Sequence, residues 1–283
     1  MDINKKLKKI QLVIFDLDGT LLTETGEITD KTKQVIFELE NIGVQFSFAS
    51  GRLHGALTDY AKELNVHLPL ISLDGSMIKN YPEGQTIYQS FIKEKHVRKA
   101  IHYAEKHVVN LALCHADAIY YTESNSVVPQ ILDKFGTTYQ EIPSYNTFVE
   151  RTLEIVFTGD NKESIQLIQN KFSFPYATGI SSTYFKSQKH GGIYYLEIRR
   201  RGSSKGKGLL RLVKSLGVPI EQTAVIGDWY NDISLFQTKA FKVALENAVP
   251  EIKRMANLTI DKDNNHDGVA EFLELILKSK TKG

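Results

Sequence analysis

Leu12-Val13-Ile14-Phe15-Asp16-Leu17-Asp18-Gly19-Thr20-Leu21-Leu22 decides how the rest of the chain is read. Four consecutive apolar residues predict a strand buried on both faces, as in a parallel sheet. Two aspartates one residue apart then stand where a core strand would keep leucine. Side chains at i and i+2 of a strand share a face, so Asp16 and Asp18 can lean toward one site. Taken alone, a strand closed by an Asp-Gly turn accounts for the same residues. The weight on function comes from polar groups elsewhere in the chain.

Thr29 or Asp30 caps a predicted helix running to about Asn41, with Val35, Ile36, Leu39 and Ile42 on one face and Gly43 as its stop. Val44 to Ala49 reads as a second strand, ending at Ser50-Gly51-Arg52. A helix carrying Leu53, Leu57, Tyr60, Ala61 and Leu64 follows, then a third strand, Pro69 to Leu73, ending at Asp74-Gly75. This alternation is the pattern of a doubly wound parallel sheet, an α/β fold. Ligands of such sheets sit beyond the carboxyl ends of the strands, where Asp16, Asp18, Ser50 and Asp74 lie.

The texture then changes. Met77-Ile78 and Ile87-Tyr88 flank the turn Asn80-Tyr81-Pro82-Glu83-Gly84. From about 90 to 198 we read helices at 94–107, 125–135 and 161–172. Short strands are expected near 110–115, 118–122, 139–142, 153–158, 174–178, 182–187 and 193–198. Adjacent strands without helices between them imply antiparallel pairing, so this segment reads as a separate α+β domain inserted into the first. The parallel pattern resumes after Arg199. A helix opens at Gly202-Ser203-Ser204-Lys205-Gly206. The strand Thr223 to Ile226 ends in Gly227-Asp228-Trp229-Tyr230-Asn231-Asp232. A short helix through Ile233, Leu235 and Phe236, a strand at Phe241 to Leu245, a helix at Ala248 to Met255 and a strand at Leu258 to Ile260 follow. Asp263 to Gly268 leads into a closing helix.

Composition bounds the answer. The 283 residues suggest one large or two ordinary domains, and 35 Lys and Arg against 33 Asp and Glu give no case for nucleic acid or an acidic membrane. The single Cys114 excludes an internal disulfide and fits a reducing compartment. Four lysines precede the first apolar run, but that run stops at Asp16, short of the roughly seven residues of a signal peptide and the roughly 18 of a membrane span. A cytoplasmic location is the expectation.

Asp16, Asp18, Ser50, Asp228 and Asp232 stand at predicted strand ends, and Lys205 at a helix start. Acids gathered in one cleft repel one another unless a cation sits among them. Only oxygen donors are on offer, which favours a hard ion such as Mg2+, held by one or two carboxylates, waters and a substrate phosphate. Ser50 can offer its hydroxyl and neighbouring N–H groups to a phosphate, and Lys205 can hold phosphate oxygens. Singly, each has a plainer explanation: an N-cap for Ser50, a solvated charge for Lys205, a cap and a first-turn acid for Asp228 and Asp232. Those explanations leave the recurrence of acids at separate strand ends unaccounted for. The spacing GxxxxGK[ST] is absent around Lys205, which disfavours nucleotide-driven work.

Together the motifs resemble those of the haloacid dehalogenase (HAD) superfamily of phosphatases. The four in order are Asp16-Leu17-Asp18-Gly19-Thr20-Leu21, Ala49-Ser50-Gly51-Arg52, Lys205 within Ser204-Lys205-Gly206, and Gly227-Asp228-Trp229-Tyr230-Asn231-Asp232. The long insertion resembles the type IIB cap of Cof-like sugar-phosphate phosphatases. The resemblance implies a Rossmann-like core at 1–83 and 200–283 around an α+β cap at 84–199. It also implies Mg2+-dependent hydrolysis of a small phosphorylated metabolite.

Asp16 would be the nucleophile and a metal ligand. Asp18 would be the general acid and base, with its backbone carbonyl on the metal. Asp228 would complete the metal site. Ser50, Gly51, Arg52 and Asn231 would bind substrate, Lys205 would hold phosphate and restrain Asp16, and Asp232 and Thr20 would support. A phosphomutase using the same residues, or a metabolite-binding module that kept the fold, are the alternatives. Monomer and dimer are both open.

Three positions depart from the family pattern: Asp74 where Asn is usual, Glu246 where Gly is usual, and bulky Trp229 where small residues are common. In the inserted domain, Lys189-His190-Gly191-Gly192 reads as an exposed turn, His115, Tyr120 and Tyr121 as packing residues, and Arg199-Arg200-Arg201 as a solvated hinge.

Overall fold

The structure is a computed structural model and describes residues 3–132, 138–187 and 191–281. In chain order the elements begin α1 (Ile3–Leu7), β1 (Leu12–Phe15), α2 (Asp30–Glu40), β2 (Gln45–Phe48), α3 (Gly55–Glu63), β3 (Leu70–Ser72), β4 (Met77–Lys79) and β5 (Thr86–Gln89). There follow α4 (Glu94–His107), β6 (Asn110–Cys114), β7 (Ile119–Tyr121), α5 (Val128–Ile131), β8 (Tyr139–Glu141), β9 (Glu154–Gly159), α6 (Lys162–Lys171), β10 (Ile180–Lys186) and β11 (Tyr194–Arg200). The chain closes with α7 (Lys205–Leu216), β12 (Thr223–Gly227), α8 (Ile233–Phe236), β13 (Phe241–Ala244), α9 (Pro250–Met255), β14 (Leu258–Thr259) and α10 (Gly268–Thr281).

Two compact units emerge. The first comprises Met1–Ser50, Leu57–Ile87 and Ser204–Gly283; the second comprises Gly51–Ala56 and Tyr88–Ser203. In the first, five parallel strands lie in the order β14-β13-β12-β1-β2. Every residue of β1 is fully buried, as its uninterrupted apolar run requires. Val13 and Phe15 share a core with Phe46, Leu39, Leu57 and Phe272. Leu12 and Ile14 face the other way by strand alternation and are covered equally. Helices therefore cover both faces, and the unit is a doubly wound α/β sheet. Thr29 caps α2 by accepting from Thr32 N, and Ser204 caps α7 by accepting from Lys207 N.

The chain-order strands run outward from β1 in two directions, to β2 on one side and to β12 on the other. The connection reverses between β1 and β12, and this is where doubly wound sheets open a crevice. The third predicted strand behaves otherwise. β3 touches β2 through one parallel bridge, Ala49 to Ile71, and then folds back antiparallel onto β4. The reversal is made by left-handed Leu73 and Asp74, each at φ 46.

The second unit holds a six-stranded sheet, β10-β11-β9-β6-β7-β8. Its pairings are antiparallel except that of β7 with β8, which is parallel. Leu111, Leu113, Ile155, Phe157, Leu196 and Ile198 pack with Val97, Ile101, Ile165 and Ile168 of α4 and α6. Residues 174–178, read above as a strand, form turns instead: Pro175 has no N–H to give a ladder, and Phe174 and Tyr176 are exposed. The helix expected at 125–135 is short, α5, and its last predicted residues lie outside the described ones. So do Lys189 and His190.

Arg199 corrects the solvated-hinge reading. It is buried, and its Nη2 donates to Glu154 at 2.8 Å and Glu197 at 2.6 Å. Glu154 is its cross-strand partner on β9, and Glu197 lies two residues back on the same face. Arg200 and Arg201 are exposed. His115 is a packing residue, with Nε2 against Phe148 O and Thr152 Oγ1 and its ring edge-on to Tyr120.

Candidate active site at the carboxyl edge of the parallel sheet

The register of β1 and β12 builds the site. Phe15 pairs with Ile226, and Asp16 N donates to Ile226 O at 3.0 Å. Asp16 directly follows Phe15 and Asp228 directly follows the last residue of β12, Gly227, so the two emerge from neighbouring strand ends. Asp232 joins them from the turn leading into α8. Ligand oxygens of Asp16, Asp228 and Asp232 all lie within 4.8 Å of one another. All three residues are buried.

Gly227 makes the third carboxylate possible, since a Cβ there would lie 2.6 Å from Asp232 Cγ. Asp232 Oδ2 accepts from Asp228 N at 3.0 Å and Trp229 N at 3.2 Å. Its other oxygen accepts from Lys205 Nζ at 2.7 Å, and Lys205 also donates to Asp16 Oδ1 at 2.6 Å. Lys205 is completely buried, set at the first position of α7. Thr20 Oγ1 donates to Asp228 Oδ1 at 2.9 Å.

Electrostatics follow from this packing. Burial opposes the charge of Lys205, yet Asp16, Asp232 and Asp74 together hold its pKa above the ordinary lysine value. Burial drives the Asp16 carboxyl well above the usual range, reinforced by repulsion from Asp232 and opposed by Lys205. Burial and the Asp232 charge push Asp228 up to about 7, against the hydrogen bond from Thr20. One ammonium among three carboxylates leaves negative charge in excess. The donors are all oxygens, so the residues fit a hard divalent cation such as Mg2+.

The remaining sequence-predicted residues are placed less centrally. The Asp18 side chain is exposed and is not one of the three clustered carboxylates; the expectation for it concerned its backbone carbonyl and an acid–base role. Ser50 is buried, its N–H donates to Ile71 O and its carbonyl accepts from Asp74 N. Asn231 is exposed and its Nδ2 donates to Asp74 Oδ1 at 3.3 Å. Gly51 and Arg52 group with the second unit and are half-buried.

Two asparagines that sequence reasoning passed over hold the loop after β1. Asn247 Nδ2 donates to Gly19 O at 2.7 Å, and Asn264 Nδ2 to Leu22 O at 2.8 Å. Neither has a local signal, because each acts on a carbonyl more than two hundred residues away.

Comparison with known proteins supplies the family. A profile described as haloacid dehalogenase-like hydrolase matches residues 13–273. Phosphatase YwpJ of Bacillus subtilis is 24% identical over 95% of this chain and 100% of its own length. The 5-amino-6-(5-phospho-D-ribitylamino)uracil phosphatase YitU of the same organism is 24% identical over 94% of this chain and 97% of its own. Among solved structures, a haloacid dehalogenase-like hydrolase from Bacteroides thetaiotaomicron superposes with a TM-score of 0.82 at 24% identity, covering 94% of this chain and 99% of that one. A Thermotoga maritima protein superposes at 0.79 with 25% identity, covering 94% and 97%. With the motif aspartates, serine and lysine at the sheet edge and the match running nearly end to end, the chain belongs to the haloacid dehalogenase-like hydrolases and, like its named relatives, is a phosphatase.

Proposed function

We propose that this phosphatase is Mg2+-dependent and hydrolyses small phosphorylated metabolites, sugar phosphates foremost, through an aspartyl-phosphate on Asp16. The observation that carries the reading is Lys205, buried and shared between Asp16 and Asp232 within a cluster of carboxylates. A lysine so placed holds Asp16 still and favours its charged form against burial, beside the position of a phosphate. The name of one relative, a phosphatase of a ribityl phosphate, supports the substrate class. Residues 84–199 are proposed as the cap and the core as 1–83 with 200–283.

Asp16, Asp228 and the Asp18 carbonyl would hold Mg2+, whose charge offsets that of the transferring phosphoryl group. Both Asp232 oxygens are already engaged, so Asp232 positions Lys205 and the turn. An Asp16 carboxylate oxygen attacks phosphorus, and the bond to the leaving oxygen breaks. Asp18 gives its proton to the departing alcohol. Asp18 then takes a proton from water, which attacks phosphorus, and the bond to Asp16 breaks to free inorganic phosphate. Ser50 and Asn231 bind the phosphate end of the substrate, and Thr20 orients Asp228.

Phosphate release from a panel of phosphorylated metabolites tests this. Sugar phosphates should be hydrolysed with Mg2+ and not with EDTA. Transfer to a second sugar hydroxyl, with no phosphate freed to water, would identify a mutase. Metal binding has its own readout. Asp228 sits near 7 in the metal-free fold against 3.8 ordinarily, so the folded state keeps a proton that the unfolded chain loses. Metal-free stability should therefore fall as pH rises from about 4 to about 7. Mg2+ binds the deprotonated cluster, so its addition should raise the melting temperature more at pH 8 than at pH 5. An equal rise at both would count against these ligands.

A further inference from the structure

Asp74 lies at the centre of a group of contacts that the mechanism above does not use. It is buried at 5% exposure and left-handed at φ 46, ψ 41. A non-glycine residue holds that conformation only where its surroundings enforce it. Here the enforcement is visible. Asp74 N donates to Ser50 O at 3.0 Å, and Asp74 Oδ1 accepts from Asn231 Nδ2 at 3.3 Å. The following residue, Gly75, sits so close to the start of α7 that a Cβ would lie 2.2 Å from Ser204 O. One turn thus braces three segments that carry proposed phosphate ligands: Ser50, Asn231 and the helix beginning with Lys205.

Those contacts do not need a carboxylate. Asparagine tolerates the left-handed region and offers the same acceptor to Asn231. What aspartate adds is a buried negative charge set directly against the Asn231 amide, a proposed phosphate ligand. Charge placed there weakens the hold of the site on a phosphate dianion. Inorganic phosphate is the second product of the proposed reaction. We propose that Asp74 is a positioning residue that fixes the Asn231 amide and, through its charge, keeps the site from retaining inorganic phosphate. The proposal rests on the phosphatase reading and adds to it a built-in limit on product inhibition.

The test is orthophosphate affinity of the Mg2+-loaded protein, by calorimetry and as an inhibition constant. Asp74→Asn should bind orthophosphate about three- to thirtyfold more tightly, the effect of removing one charge several ångströms away at protein-like dielectric. The KM for substrate should fall in the same direction without a rise in kcat. In Asp74→Gly, which also suits the backbone, orthophosphate should again bind more tightly while kcat falls, because the Asn231 amide has lost its acceptor. Unchanged or weaker orthophosphate binding in both variants overturns the proposal. If orthophosphate binds neither the wild type nor either variant, the phosphatase reading itself is at fault; if it binds the wild type and no more tightly to the variants, only the role of Asp74 is.

Discussion

Asp16→Asn is expected to abolish phosphate release, by at least about a thousandfold in kcat, while leaving the fold as stable as the wild type or more so. The two halves of this result have separate causes. An amide has no anionic oxygen to attack phosphorus, so no aspartyl-phosphate forms. The amide oxygen still accepts from Lys205 Nζ, which in the wild type lies 2.6 Å from Asp16 Oδ1. The substitution also removes one of three crowded buried carboxylates, and burial and Asp232 already disfavour the Asp16 charge. Kinetics and thermal melting on one preparation read both halves.

Asp18→Asn gives the contrast. Its carboxyl is exposed and is proposed to move protons, so that variant should form the phosphorylated enzyme and fail to discharge it. If Asp16→Asn released phosphate at the wild-type rate while melting normally, covalent catalysis at Asp16 would have to be abandoned.

The ends of the parallel strands were legible because they are written locally. A run such as Leu12–Phe15 or Thr223–Ile226 needs both faces buried, and an acid one or two residues beyond it stands at the carboxyl edge of the sheet. That logic located Asp16 and Asp228. It went astray where distant partners decide. Arg199 looks solvated in a run of three arginines, and only pairing with Glu154 across the sheet and Glu197 on the same face buries it. β3 looks like a third member of the parallel sheet, yet left-handed Leu73 and Asp74 turn the chain back at once. The parallel pairing of β7 with β8 depends on a long connection whose path no residue pattern specifies. Asn247 and Asn264 show why part of the site stayed hidden. Their work is to hold carbonyls of the loop after β1, and a side chain that serves a remote backbone atom leaves no trace in its own neighbourhood.

Lys205→Met should cost both activity and stability, and the second loss separates it from Asp16→Asn. Lys205 has no exposure and is shared between two carboxylates at 2.6 and 2.7 Å. Removing it leaves Asp16 and Asp232 buried without their counter-charge, a change that costs about 3–5 kcal/mol when one partner of a buried pair is lost. Methionine fills the space of the lysine stem, so lost packing contributes little. The Asp16 carboxyl, already held well above the usual range by burial, loses the lysine that lowers it and holds its proton more tightly still. A raised acid pKa means stability falls as pH rises, so the deficit against wild type should be larger at pH 8 than at pH 5.

Adding Asp232→Asn to Lys205→Met should restore part of the stability, because one orphaned charge is gone and the amide oxygen can still accept from Asp228 N and Trp229 N. It should restore none of the phosphate release, since neither Asp16 nor the phosphate regains a cation at that position. Denaturant unfolding of the wild type, both single variants and the double variant at the two pH values measures the coupling directly. Strict additivity of the two losses would show that Lys205 and Asp232 do not act as a pair, and the restraint of Asp16 would then need another source.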